Sequence, residues 1–290
     1  RMVFGSKTTT SAKWPALMDL CRTKVWGERQ GKSKEVARYP WWRHWRPRSE
    51  LYQAASRLDR VLVLSRVSQW HALAHVTPTQ VFSDRLVVFP IQGSAEFAVL
   101  QSRCHEIWAL FFGSTHEDRP MYAPEDCFET FPFPRELEST DSLERLGRDY
   151  QACRGALMVR NNEGLTKTYN SFHDPDERDP NILKLRDLHA AMDRAVLDAY
   201  GWTDIQARCE FILDYEDEED DNPGRPSKKR KPYRYRWPDE IRDEVLGRLL
   251  ELNAQRAKDA AVAGSLVASD AAKGKKRRDS TRNTNRPLLD

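Results

Sequence analysis

The 290-residue sequence has no apolar run near the roughly 18 residues that a membrane-spanning helix needs. Its first twenty residues hold no apolar core and no small-residue cleavage site, so a secretory leader is not expected. Cysteine is sparse. Cys21, Cys104, Cys127, Cys153 and Cys209 are odd in number and widely spaced, and no CxxC pair occurs. Neither a zinc ribbon nor a redox pair is indicated, and buried thiols in a reducing cytoplasm are the plain expectation. Common catalytic signatures are missing as well. There is no GxGxxG, GxxxxGK[ST], GxSxG or HExxH, which argues against a dinucleotide or nucleoside-triphosphate site. The seven histidines are scattered. Only His71 and His75 are close, and in the strand expected there they would stand about 13 Å apart, too far for one metal ion.

Net charge is equally small in total, +3, but strongly blocked along the chain. Residues 38–48, RYPWWRHWRPR, hold four arginines and no acid. Residues 214–221, DYEDEEDD, hold seven acids in eight positions. Residues 225–236, RPSKKRKPYRYR, hold seven bases, and KGKKRR follows at 273–278. The acidic run is read as a solvated linker, because like charges in a row repel and no apolar frame surrounds them to hold a divalent cation. The short basic runs suit non-specific phosphate contact.

The apolar pattern divides the rest. Trp14 to Trp26 has a weak helical period, with Leu17, Met18, Leu20 and Val25 expected inward. Pro40 and Pro47 break regular structure, so residues 38–48 are expected as a loop or edge strand. Segments 60–67, 71–76 and 81–89 are short β-branched runs split by Thr77-Pro78-Thr79, and they read as an antiparallel meander. Ser94 to Gly113 reads as one amphipathic helix, with Ser94 as cap and Gly113 as terminator. Its prolines and aromatics make 122–134 an extended edge strand. Helices are expected over 143–158 and 182–200, the second ended by Gly201, and a last one from Trp237-Pro238. The fold class is therefore α+β: a small antiparallel sheet with a packed helix, then a helical region and a disordered basic tail. The expected divisions are 1–37, 38–134, 135–213, 214–236, 237–258 and 259–290.

The aromatic–arginine block is the strongest positive feature. Arg38, Arg43, Arg46 and Arg48 can pair with phosphates or fork onto guanine, and Trp41 and Trp42 can stack on bases. The plainer reading is that the tryptophans fill a core and the arginines cover its rim. Arg66 and Arg85 flank the expected strands, where they either reach DNA or are ordinary strand-end charges. These eight residues form the candidate DNA-binding set; no catalytic or metal residue is assigned.

Several segments resemble a known family. In order they are RYPWWRHWRPRSELY, VLVLSRVSQWHALAHV, VFSDRLVVFP, AVLQSRCHEIWALFFGST, MYAPEDCFETFPFP, GLTKTYNSFHDP, LRDLHAAMDRAVLDAYGW and RYRWPDEIRDEVLGRLLELNAQR. They resemble the C-terminal part of type IIG, MmeI-like bacterial DNA adenine methyltransferases of restriction–modification and phage-defence systems, over about residues 38–256. The resemblance implies a target-recognition domain that selects double-stranded DNA, followed by a helical region. It also implies a bacterial, cytoplasmic setting, no membrane, and an upstream methyltransferase domain of the same polypeptide that binds S-adenosylmethionine. That domain's glycine-rich loop and Asn-Pro-Pro-Tyr/Phe motif are absent here, so this chain by itself is not expected to methylate or to hold the cofactor. The first residue is Arg rather than Met, and a fragment of a longer product is the matching expectation. Two other classes stay open: a protein-interaction module using exposed tryptophans, and, with less support, a hydrolase with a diffuse acid site.

Overall fold

The computed structural model describes residues 14–42, 48–116, 119–135, 137, 141–213 and 233–282, with the side chains of His116 and of 262–282 not described. Arg43, Trp45 and Arg46, the acidic run 214–221 and most of the basic run that follows lie outside the described residues.

Helices α1 (Pro15–Cys21) and α2 (Gly27–Gln30) are joined by a π-helical turn, Arg22–Trp26, and α3 (Lys34–Arg38) follows. The helix expected at Trp14–Trp26 is present, but its inward face is not. Leu17 and Leu20 are exposed, and no residue of 14–42 belongs to the main core. Helix α3 stops where Tyr39 turns extended (φ −73°, ψ 144°) ahead of Pro40, whose ring excludes the helical region for its predecessor. Residues 38–42 are thus a helix end and a turn, not an edge strand, and Arg48 leads into α4 (Ser49–Ala55).

Strands β1 (Val61–Ser65), β2 (Ala74–Val76) and β3 (Leu86–Phe89) form an antiparallel sheet in the order β2-β1-β3. The register pairs Leu62 with both His75 and Phe89. A simple meander would have placed the middle strand of the sequence in the centre. The centre is β1 instead, because its unbroken Val-Leu-Val-Leu run is buried on both faces, as an alternating edge strand would not be.

The long helix expected at 94–113 is two. Helix α5 (Ser94–Gln101) and helix α6 (Arg103–Phe112) are separated by Ser102, which is extended at φ −66° and ψ 160°. The Ser102 hydroxyl donates to the Val99 carbonyl at 2.7 Å, closing α5. Ser94 is not a side-chain cap: Gly93 occupies that position, and the Glu144 carboxylate accepts from the Ser94 and Ala95 amides at 2.7 and 2.8 Å. Gly113 ends α6 in extended rather than left-handed conformation; a side chain there would strike the Ala109 carbonyl at 2.4 Å.

A hairpin of β4 (Ser114–His116) and β5 (Arg119–Met121) continues into α7 (Pro124–Cys127). The segment 122–134 is therefore not an extended edge strand. A one-turn helix folds it back so that Phe131 and Cys127 enter the core.

Helices α8 (Asp141–Asn161) and α10 (Pro180–Ala199) lie where the apolar period places them, and α10 ends before Gly201, at φ 78°. Leu183 is exposed, and the buried stripe of α10 runs through Ile182, Leu185, Met192, Val196 and Leu197. Between them, α9 (Leu165–Phe172) was not anticipated. Helix α8 packs on α5 through Gly147, where a Cβ would lie 2.0 Å from the Ser94 carbonyl oxygen. Seven of the eight α5 residues are buried, so this helix is the axis of the molecule.

Strands β6 (Glu210–Leu213) and β7 (Tyr233–Arg236) pair antiparallel, so the charged stretch expected as a pure linker ends in a strand. Helix α11 (Asp239–Arg282) starts as expected, and its backbone runs on past Lys258. Val245 and Leu249 of α11 close a core that begins at Leu62 of β1.

Candidate nucleic-acid interface

The end of the β1–β3 ladder positions two of the candidate arginines. Arg66 follows β1 and its amide donates to the Arg85 carbonyl at 2.8 Å, so the pair stands side by side just beyond the sheet. Both side chains are exposed, and neither makes a hydrogen bond or ion pair with a described residue. The Arg66 carbonyl accepts from the Tyr122 amide at 2.8 Å, and Val67 bridges to Met121. The sheet end is thereby tied to the β4–β5 hairpin.

Arg48 caps α4 at φ 49°, in the left-handed region. One turn on, Tyr52 stacks on Phe82 at 6.3 Å, and its hydroxyl accepts from the Phe82 amide. Helix α4 is thus fixed to the loop that leads into Arg85. Arg38 ends α3, exposed. Trp41 stands edge-on between Trp26 (5.9 Å) and Trp42 (5.8 Å). Trp26 and Trp42 remain 47% and 46% exposed, so the core-filling reading fails for Trp42. The structure brings Arg66 next to Arg85.

A shallow groove opens beside Arg66. Its walls come from Ser68, Gln69 and Trp70 after β1, Glu106 and Leu110 of α6, Met121 of β5, and Arg234 of β7. The Arg234 guanidinium lies 4.9 Å above the Trp70 ring and donates to the Gln69 carbonyl at 3.0 Å. Trp70 stacks on His173 at 4.2 Å with planes 8° apart, and its indole N–H donates to Asn170 Oδ1. His173 Nδ1 accepts from the Tyr235 amide at 3.0 Å. Burial, helped by the Arg234 charge, pushes the His173 pKa well down, so this acceptor stays unprotonated.

Trp70, Glu106 and Arg234 were missed as site residues. The signal for Arg234 was present: Tyr233-Arg-Tyr-Arg236 alternates with the period of a strand, which puts Arg234 and Arg236 on one face. The basic run around it masked that alternation.

The two close histidines are engaged separately. His71 Nε2 meets the Leu100 carbonyl at 2.8 Å and His75 Nδ1 meets Gln151 Oε1. The strand-to-helix turn β3–α5 carries one glycine, Gly93, and the amides at the head of α5 are already taken by Glu144. The head of α6 is likewise taken, by Asp193 Oδ1 accepting from the Arg103 amide at 2.9 Å. No helix of the described residues is long and apolar enough to cross a membrane.

This α+β arrangement is similar in fold to part of a solved restriction–modification enzyme. A solved structure of similar fold is MmeI, a type IIL restriction-modification enzyme in complex with DNA, with a TM-score of 0.55 at 17% sequence identity. The match covers 87% of this chain and 28% of that chain, so the chain spans under a third of the enzyme it resembles. No family model and no curated protein matches the sequence.

Proposed function

We propose that this chain is the DNA target-recognition part of an S-adenosylmethionine-dependent, adenine-specific DNA methyltransferase of a restriction–modification or defence system. The carrying observation is the fold shared over 87% of the chain with a region of MmeI, an enzyme solved on DNA. Arg66 and Arg85 at the sheet end, exposed and without a side-chain partner among the described residues, support it, as does the arginine block around Trp41 and Trp42. In this reading, Arg38, Arg43, Arg46 and Arg48 grip phosphates of duplex DNA, and Trp41 and Trp42 stack or wedge beside them. The methyl transfer and its cofactor belong to an upstream domain of the same polypeptide. This chain contributes no catalytic group.

The test is duplex binding by fluorescence anisotropy across a salt series. The wild-type affinity should fall steeply with salt. Arg38/Arg43/Arg46/Arg48→Ala should weaken binding to every sequence and lower the salt slope by about one unit per lost phosphate contact. Unchanged binding by the quadruple variant would remove the block from the interface.

One observation favours a second reading. Trp26, Trp41 and Trp42 form a half-exposed aromatic cluster on a segment that adds nothing to the main core. As a protein-docking surface, that cluster would bind its partner with an affinity nearly flat in salt.

A further inference from the structure

The groove beside Arg66 is lined by charges of both signs, and its one carboxylate is left open. Glu106 is half-buried on α6, with its side chain 20% exposed, and no described residue donates a hydrogen bond to its carboxylate. Arg234 stands 3.9 Å from Glu106 Oε1, close enough to hold the charge in place and too far to fill the acceptor. Arg66, exposed across the same groove, donates no side-chain hydrogen bond among the described residues. Ser68 adds a hydroxyl whose oxygen accepts from the Trp70 amide at 3.1 Å and whose proton remains to be given.

A phosphate is a poor occupant for this groove. Its charge would face the Glu106 carboxylate in a partly desolvated cleft, where like charges repel more strongly than in water. A base-pair edge is a better one, since it offers acceptors and an amine donor side by side. We infer that this groove reads a base-pair edge rather than the backbone. Arg66 donates to purine acceptors, best matched by guanine O6 and N7, and Glu106 accepts from the N4 amine of the paired cytosine. Arg234 is a positioning residue: clamped on Trp70 and bonded to the Gln69 carbonyl, it fixes the Ser68–Trp70 backbone and aims Glu106. The β6–β7 hairpin thereby becomes part of the recognition apparatus. This inference rests on the reading of the chain as a DNA-recognition part.

The experiment selects bound duplexes from a pool with a randomised core, using the 290-residue chain, then repeats the selection and a salt series with Arg66→Ala, Glu106→Gln and Arg234→Lys. The wild type should enrich a G·C pair at one position. Arg66→Ala and Glu106→Gln should each relax that position about tenfold or more, with the salt slope unchanged. Arg234→Lys keeps the charge and loses the planar clamp, and should relax the same position while melting with the wild type. Arg66 is exposed and Glu106→Gln keeps volume, so folding of these two variants is not at stake. If Arg66→Ala instead weakens all sequences alike and lowers the salt slope by about one, Arg66 is a phosphate contact and the inference falls. Unaltered selectivity in both variants would also overturn it, leaving the broader reading intact. A wild type that shows no salt-dependent duplex binding would remove both.

Discussion

Arg103 and Asp193 meet at 2.7 Å inside the protein, with side chains 3% and 1% exposed. The same aspartate accepts from the Arg103 amide through its other oxygen. The guanidinium also donates to His189 Nδ1 and to the Tyr235 carbonyl at 2.8 Å. One arginine therefore ties the head of α6 to α10 and to β7, the strand that carries Arg234.

Removing one partner leaves the other charge buried and unpaired. Asp193→Ala should lower unfolding stability by about 3–5 kcal/mol, measured by urea denaturation. A loss under about 1 kcal/mol would mean that the Arg103 charge finds water once Asp193 is gone.

Two glycines on α8 should respond with opposite sign. At Gly147 a methyl group would sit 2.0 Å from the backbone oxygen of Ser94, so Gly147→Ala must push α8 off α5, at about 1–3 kcal/mol. At Gly155 nothing lies within 4 Å, and Gly155→Ala should stabilise the helix by about 0.5–1 kcal/mol. Thermal melts of the two variants would separate the effects. Equal shifts would contradict the close approach.

Glu144 stands in for a cap on another helix. Glu144→Ala leaves the Ser94 and Ala95 amides without their acceptor at the positive end of α5. It should cost about 0.5–2 kcal/mol. A silent substitution would show that water or Glu96 replaces it.

Stability should fall as pH drops below about 6.5. Burial lowers the pKa of His71, His105 and His173, and burial likewise brings His75 down to about 4. The folded state then binds fewer protons than the unfolded chain between the ordinary histidine value of 6.5 and the folded values. The stabilisation is present above pH 6.5 and is lost progressively toward pH 4. Urea midpoints at pH 7.5, 6 and 5 would check this (pH values chosen to bracket about 6.5), and flat midpoints would refute it.

Much of the fold was legible in local pattern. The β1 run, the α8 and α10 stripes, and the Pro238 start of α11 all carry strong periodicity or a backbone constraint. Failures came where a distant group decided the outcome. Ser94–Gly113 has an unbroken helical period, yet it is cut at Ser102 because Asp193, some ninety residues on, caps a second helix start. Residues 122–134 read as extended, yet Phe131 and Cys127 find more burial by folding back through α7. Leu17 and Leu20 read as core, but the sheet and α5 are already covered by other elements. Of the candidate interface, Arg66 and Arg85 sit together at one sheet end. Arg234 carried a strand-period signal inside its basic run, whereas Glu106 of α6 joins Arg66 and Arg234 in one groove only through tertiary packing.

Sequence alone determined the α+β class, the main helices and the arginine-rich character of a candidate surface. These follow from local periodicity and side-chain chemistry, which need no partner. Tertiary structure decided the strand order, the break at Ser102 and the groove shared by Arg66, Glu106 and Arg234. Each of those depends on which hydrogen-bonding groups and charges meet when water is removed, and the chain brings them together from positions up to 168 residues apart.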